Sequence, residues 1–268
     1  MREHHRGHGV CGVVGLLLSV GCAGATDDAP DVAFRGAPVP FSVEFEDCQE
    51  FAGVFPVPLA NVAAHVPADY EPATYDGVTA FVVFRTVECQ GLVFDDGETE
   101  DEPTIVSQVG VNLFAPQGEG DINNYALHYG ATSKELVQRL RRAGIDAKRI
   151  DGLVFEYDDD CDDGGTYTIV NPKKEYRHRI EGPASDPPAS DPGIPFLANW
   201  WQDDGPTNVV MSTDIPALFQ GDGSQVQVTT KPNSAVAELL GGTVTAPSVF
   251  AIRGIIPDAV MDVGPIDL

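Results

Sequence analysis

His128 and Lys134 are the residues whose type and neighbours come closest to catalytic chemistry. His128 lies in the apolar and aromatic run Asn124–Tyr129, where an imidazole could act as a general base. The sequence supplies no partner acid, so a hydrogen-bonded residue in the wall of a sheet is the favoured interpretation of His128. Lys134 precedes Glu135, and an ion pair between them would keep the amine protonated.

Three well-defined catalytic motifs are missing from the sequence. It contains no GxSxG nucleophile elbow, no HExxH zinc motif and no glycine-rich phosphate-binding loop. The catalytic residues therefore stay unassigned, with His128 and Lys134 as the only candidates.

The acidic stretch 158–165 has the composition of a calcium loop but not its spacing. An EF-hand loop needs glutamate at position 12, and counting from Asp158 places Ile169 there. The chain also lacks a CxxC pair, and few histidines lie beyond its N-terminal leader: His65, His128 and His178. We expect no metal and no cofactor, and we interpret 158–165 and the acidic stretch 95–102 as solvated turns.

Residues 1–22 have the pattern of an export signal. A basic start is followed by the apolar run Val10–Val20, whose 11 residues are too few to span a bilayer. Ser19-Val20-Gly21-Cys22 resembles a lipobox, in which the cysteine is lipidated, although Ser19 stands where leucine is preferred. Cleavage after Ala25 is the alternative. We expect an exported protein, either a bacterial outer-membrane or surface lipoprotein held by its lipid alone, or a periplasmic or secreted protein.

Three cysteines remain in the folded part: Cys48, Cys89 and Cys161. Cysteines outside the cytosol usually pair. Cys48 follows the first predicted strand and Cys89 ends the second, and adjacent strand ends can bring Cα atoms within the roughly 7 Å that a disulfide needs. We expect a Cys48–Cys89 disulfide with Cys161 unpaired or paired between chains, and pairings that use Cys161 are the alternative.

β-Branched and aromatic runs separated by Gly, Pro and Asp clusters dominate the chain after residue 40. They predict nine strands: Phe41–Glu46, Val78–Glu88, Thr104–Phe114, Asn124–Tyr129, Gly152–Tyr157, Thr166–Val170, Asn208–Ser212, Gln225–Thr230 and Thr243–Ile252. That density is typical of a closed or nearly closed antiparallel sheet. The predicted fold class is mainly β with a few short helices, arranged as a β-barrel-like sheet.

Three short helices accompany the strands. Val57–Val66 has apolar residues at helical spacing. A capping box at Thr132–Glu135 starts a second helix, which arginines and Gly144 end, and Ser234–Leu240 is the third.

The chain is predicted to form one folded domain, 41–268, behind a flexible tether at 23–40. Within the domain, Pro-Ala-Ser-Asp-Pro occurs twice in tandem, and we interpret residues 183–193 as an extended, solvated loop.

Charge excludes two kinds of partner. The chain has 41 acidic and 16 basic residues, a formal net charge of −25. Binding to nucleic acid or to anionic lipid head groups needs clustered lysine and arginine. We expect no nucleic-acid partner, and the negative charge contributes mainly to solubility.

Several of these segments resemble acetoacetate decarboxylase-like proteins. Phe55-Pro56-Val57-Pro58, followed by Val66-Pro67-Ala68-Asp69-Tyr70-Glu71-Pro72, is similar to the opening of that family. Asn199-Trp200-Trp201 resembles its exported bacterial relatives, and the later order of strand, helix and hairpin also fits. The resemblance spans residues 41–255 and implies a β-barrel with an internal, mainly apolar cavity.

The same resemblance implies that the family's chemistry is lost. Its enzymes form a Schiff base through a lysine whose pKa a neighbouring lysine lowers, within a Tyr-Pro-Lys-Lys stretch. The matching segment here is Ala131-Thr132-Ser133-Lys134, and Pro172-Lys173-Lys174 comes one hairpin too late. The favoured hypothesis is a non-catalytic barrel that binds a small apolar or carboxylate ligand. The alternatives are an enzyme acting on a small carbonyl or carboxylate compound through unrecognised residues, and a structural barrel without a cavity.

We predict that Cys22 is acylated and that the exported protein fractionates with membranes. Cells fed an alkyne analogue of palmitate should label the wild-type chain. Cys22→Ser should abolish the label, whereas Cys11→Ser, inside the apolar run, should keep it. Unlabelled, soluble protein that begins at Thr26 would contradict the prediction.

Overall fold

Long strands with alternating apolar residues build most of the molecule. The computed structural model describes residues 37–117, 120–158, 165–204, 207–223 and 226–268. These residues lie in one compact unit, Phe34–Leu268. The predicted lipidation site Cys22 and the third cysteine, Cys161, lie outside the described residues.

The strands, in chain order, are β1 (Phe41–Pro58), β2 (Thr79–Phe94), β3 (Thr99–Glu100), β4 (Thr104–Asn112), β5 (Ile122–Ala131), β6 (Ala147–Arg149), β7 (Val154–Asp158), β8 (Gly165–Asn171), β9 (His178–Ala184), β10 (Ile194–Asp204), β11 (Thr207–Gly223), β12 (Gln227–Thr230), β13 (Thr245–Pro247) and β14 (Phe250–Ile266). The helices are α1 (Leu59–Val62), α2 (Lys134–Arg142) and α3 (Ala235–Leu239). Among the described residues, no helix has the length and apolar character needed to span a bilayer.

Seven strands close into a barrel, as predicted. β1 pairs with β14, the order continues through β11, β10, β5, β4 and β2, and β2 pairs back with β1. The prediction that all pairs are antiparallel is wrong at β5 and β10, which are parallel. Parallel neighbours need a long crossover, and the chain between Ala131 and Ile194 supplies it with α2 and the strands β6 to β9.

The second sheet covers part of the barrel's outer face. Its order is β13, β12, β9, β8 and β7. Phe51 of β1 contacts Tyr167 of β8 with ring centroids 5.5 Å apart, and Phe84 of β2 contacts His178 of β9 at 4.9 Å. The apolar residues inside the barrel form a separate core together with Leu136 and Leu140 of α2. The barrel wall is therefore buried on two faces, and the two faces hold different side chains.

Several strands are longer than the sequence predicted, or were missed. The first predicted strand ends at Glu46, but β1 continues to Pro58 through a backbone irregularity at Asp47, whose φ is 48°. Polar residues interrupt the apolar alternation there, yet β1 is hydrogen-bonded to a neighbour on each side. Strands β9 and β10 and most of β14 were not predicted, because their polar and proline residues hide the alternation.

The helices differ from the predictions mainly at their ends. α1 keeps one turn of the predicted Val57–Val66, because Val57 and Pro58 complete β1. The N-cap of α2 is Ser133, whose Oγ accepts from the Leu136 amide at 2.9 Å. Thr132, the predicted cap, instead accepts from the amide of Ile105. α3 begins at its Ser234 cap and ends before Gly241, as predicted.

The acidic stretch 95–102 is anchored rather than freely solvated. Arg139 of α2 lies 2.8 Å from carboxylate oxygens of Asp96 and Glu98 and 3.6 Å from that of Asp95. Its guanidinium also lies 4.2 Å from the centre of the Phe94 ring. One buried arginine therefore fixes α2 to the turn between β2 and β3.

The duplicated Pro-Ala-Ser-Asp-Pro segment also differs from the solvated loop that was predicted. Asp186 in the first copy pairs with Arg253 of β14, whose guanidinium lies 3.6 Å from the centre of the Tyr157 ring. Asp191 in the second copy accepts from the Gln220 amide at 3.0 Å. The loop is without helix or strand after Ala184, but each copy contributes one anchor to the barrel.

The other predicted turn, 158–165, joins β7 to β8 in a hairpin, and residues 159–164 lie outside the described chain.

Cys48 and Cys89 form the predicted disulfide. They lie opposite each other within β1 and β2 rather than at strand ends, with Cα atoms 4.0 Å apart. Both side chains are buried and belong to the core inside the barrel. The bridge therefore joins two neighbouring strands of the barrel wall.

We predict that replacing Cys48 and Cys89 together by alanine lowers the free energy of unfolding by about 2–4 kcal/mol, because the bridge closes a long loop in the unfolded chain. Urea unfolding of the oxidised wild type and the double variant measures the difference. Cys161→Ala is the control and should have little effect. Non-reducing peptide maps that link Cys161 to Cys48 or Cys89 would contradict the assignment.

Candidate functional site

A buried charged group lies inside the barrel. Arg85 of β2 donates from Nε and Nη2 to Oε2 of Glu50 on β1, at 2.9 Å and 2.5 Å. Its Nη1 donates to Oε1 of Gln108 on β4 at 2.8 Å. The side chains of Arg85 and Glu50 are 14% and 8% exposed, so the pair is largely shielded from solvent. Three neighbouring strands thus position one cation and one anion in the apolar interior.

A small cavity of about 20 Å³ lies beside Arg85. It is lined mostly by apolar side chains, and Tyr129 and Thr213 add hydroxyl groups. Burial raises the pKa of Tyr129, so this phenol stays protonated. The cavity has room for about one water molecule, which makes the barrel interior nearly filled.

Arg85 retains hydrogen-bonding capacity toward this cavity. A guanidinium has five N–H groups, and the described residues provide partners for three of those of Arg85. The two others belong to Nη1 and Nη2. Arg85 also lines the cavity, so a guanidinium with two unused donors borders this space.

His128 lies on the other side of the barrel wall from this pair. It faces the second sheet, where its Nε2 is 3.0 Å from Nδ2 of Asn171 and its ring stacks on Tyr176 with centroids 4.7 Å apart. Asn171 Nδ2 also lies 3.3 Å from Oγ of Ser107. His128 is therefore a hydrogen-bonded wall residue, buried between two layers and away from the cavity.

Burial holds both histidines of this layer neutral. It lowers the pKa of His128 to about 3, with smaller effects of the same sign from His178, Lys173 and Lys148. Burial likewise lowers the pKa of His178 to about 4, although a hydrogen bond from its Nδ1 to the Tyr176 carbonyl opposes the shift. Among the described residues His178 Nε2 has no partner. A general base that takes up a proton only near pH 3 is poorly matched to neutral pH.

Lys134 is exposed at the start of α2 and does not line the cavity. Its predicted partner Glu135 pairs with Arg139 and Arg142, at 2.8 Å and 3.1 Å. All five lysines of the chain lie in the described part, and none is buried: Lys134, Lys148, Lys173, Lys174 and Lys231.

The structure does not bring the predicted site residues together. His128 faces the second sheet, Lys134 faces solvent, and the charged pair of Arg85 and Glu50 was not predicted. An available signal was Arg85 itself, a charge inside the apolar run Val82–Val87. No cluster of three or more metal-binding side chains occurs in the ranges that the structure describes.

We predict that the buried histidines make the protein unstable in mild acid. Their pKa values are depressed by folding, so the unfolded chain takes up protons first, and stability falls as the pH drops below about 6.5. Between about pH 7.5 and pH 5, each buried histidine should lower the free energy of unfolding by about 2 kcal/mol.

Urea unfolding of wild type and His128→Gln across this range measures the effect. Gln keeps an acceptor for Asn171, so the variant should fold. The free energy of unfolding should depend on pH about half as steeply, because one of the two buried histidines is gone. His65→Gln leaves both buried histidines in place and should retain the full slope. Equal slopes in wild type and His128→Gln would contradict the prediction.

No family model matches the sequence, and no curated protein sequence matches it. Solved structures do match. An acetoacetate decarboxylase from Legionella pneumophila is 11% identical with a TM-score of 0.53, over 86% of this chain and 88% of that chain. An acetoacetate decarboxylase-like enzyme from Sphingomonas wittichii is 9% identical with a TM-score of 0.51, over 87% and 94%.

A third match is the enduracididine biosynthesis enzyme MppR, in a complex with pyruvate. It is 12% identical with a TM-score of 0.50, over 96% of this chain and 98% of that chain. At such identities a structural likeness establishes the fold and leaves the activity open. The closed seven-stranded barrel and these neighbours confirm the family resemblance at the level of the fold: the chain has the fold of the acetoacetate decarboxylase-like superfamily.

Proposed function

We propose that this protein binds a small carboxylate inside its barrel and performs no chemistry on it. The observation that carries the proposal is Arg85, whose guanidinium lines the cavity and has two N–H groups without a partner among the described residues. Arginine binds carboxylates through paired N–H groups. A carboxylate beside Arg85 would complete its hydrogen bonding.

Two further donors inside the barrel, neither of which lines the cavity, also lack an acceptor in the described part of the chain. Nδ2 of Asn124 and Nε1 of Trp200 are buried without a partner among the described residues. They lie on β5 and β10, at positions that face each other in the parallel pair. A buried donor without an acceptor costs about 1–3 kcal/mol, so an oxygen-rich ligand suits this interior better than a hydrocarbon does.

The cavity has room for about one water molecule, so only a small acid of roughly one to three carbons suits it. Even the smallest of these acids needs more than the volume present, and Met261 lines the cavity. An unbranched thioether changes rotamer readily. We infer that Met261 moves aside when such an acid enters.

The geometry supports binding better than catalysis. No lysine of the chain is buried, so none has the desolvated site that a Schiff-base lysine requires. His128 is outside the barrel interior and cannot contact a ligand at Arg85. That MppR has been solved with pyruvate supports the ligand class proposed here.

The proposed setting for this binding is outside the cytosol. The lipobox-like Cys22 would anchor the protein, and residues 23–40 would hold the barrel away from the membrane. A protein of this charge would stay soluble there. This part of the proposal rests on the sequence alone.

Titration calorimetry with formate, acetate and pyruvate tests the binding. Replacing Arg85 and Glu50 together by glutamine removes both buried charges and keeps a polar side chain at each position. The double variant should bind about 10- to 100-fold more weakly, because a charged hydrogen bond contributes about 1.5–3 kcal/mol. Arg149→Gln is the control. The side chain of Arg149 is 50% exposed and does not line the cavity, so this variant should bind like wild type. Borohydride added with pyruvate should leave every lysine unmodified.

Three results would contradict the proposal. They are no binding of any of the three acids, equal binding by the double variant, and equal binding of methyl pyruvate, which would indicate an apolar site. A reduced adduct on Lys134, Lys173 or Lys174 would restore the enzyme hypothesis.

A further inference from the structure

Among the described residues, Arg85 is the single cation that lines the cavity, and Glu50 already forms an ion pair with it. Glu50 uses only Oε2, which receives both Nε and Nη2 of Arg85. A ligand carboxylate that takes the two free N–H groups of Arg85 would therefore lie close to Glu50. The site would then hold two carboxylates and one guanidinium.

Two ionised carboxylates cannot share one buried cation without a large penalty. Like charges in a low-dielectric interior repel strongly, and one of a carboxylate pair then holds a proton at neutral pH. With both ionised, the interior would carry one uncompensated negative charge in a chain whose formal charge is already −25. A single proton on either carboxylate restores neutrality.

The other ionisable groups near Glu50 do not supply that compensation. Tyr129, inside the barrel, and Tyr167, whose hydroxyl donates to the Glu50 backbone carbonyl at 3.3 Å, both have pKa values raised by burial. Arg253 lies on the outer face of β14, where it pairs with Asp186 and stacks on Tyr157. On β14, the residue opposite Glu50 is Gly254, which has no side chain. The proton must therefore come from solvent.

We propose that binding of the carboxylate is coupled to the uptake of one proton. Glu50 accepts this proton when the ligand forms its hydrogen bonds with Arg85. The balance is simple: one anion and one proton enter, no covalent bond to carbon changes, and the net charge of the interior stays at zero. The site loads in acid and releases its ligand as the pH rises. This inference rests on the proposed function, since it describes the same site.

Calorimetry of the wild type with acetate and pyruvate, in two buffers of different ionisation enthalpy at one pH, measures the proton uptake. We expect about one proton per ligand and an affinity that falls about tenfold for each pH unit above neutrality. Glu50→Gln, which is uncharged and keeps an acceptor for Arg85, should bind without proton uptake and independently of pH. Glu46→Gln, an exposed position on the same strand, should behave as wild type.

Infrared spectroscopy of the wild type gives a second measurement that needs no variant. Adding acetate labelled with ¹³C should produce an unlabelled protonated-carboxyl band, which belongs to the protein. The outcomes separate the two proposals. No binding at any pH would overturn the proposed function, whereas binding with no proton uptake, or uptake that Glu50→Gln retains, would overturn only the coupling.

Discussion

The double pairing of β1 is the constraint on which the structure depends. This strand has 18 residues and pairs with β14 along one edge and β2 along the other, so it closes the sheet into a barrel. Closure removes the free edges of the sheet. It also forces every residue of β1 to face either the barrel interior or an outer layer. Phe51 packs toward the second sheet, whereas Glu50 reaches the cation inside.

Burial of both faces of the wall explains why the two histidines and the charged pair are chemically separate. The pair lies in the interior, where a cavity accompanies it. His128 lies between layers, where Asn171 and Tyr176 fill the space around it. Polar groups on the outer layer therefore serve packing, whereas Arg85, Tyr129 and Thr213 on the inner layer line the cavity. The fold neighbours are enzymes, but their chemistry depends on residues and not on the barrel alone.

Much of the fold could be predicted from the sequence, and little of the site. Apolar alternation identified β4, most of β2 and β5, the start of β1, and the hairpin of β7 and β8, and turn residues identified the end of α2 at Gly144. Adjacent strands also made the Cys48–Cys89 bridge predictable. Apolar alternation did not predict the part of β1 after Glu46. A strand that pairs on both sides tolerates a polar residue such as Glu50 when that residue has a partner inside the barrel. Arg85 and Gln108 are distant in sequence, and only the register of β2 and β4 brings them together.

Arg139 shows how a charge that looks superfluous can become a structural requirement. The acidic turn after β2 and the helix α2 are separated by some forty residues, yet three carboxylates of the turn contact this one guanidinium. Loss of the arginine would leave a concentrated set of repelling anions beside an apolar ring. The turn and the helix therefore depend on each other through Arg139. Part of the chain's acidity is compatible with this fold only while that arginine is present.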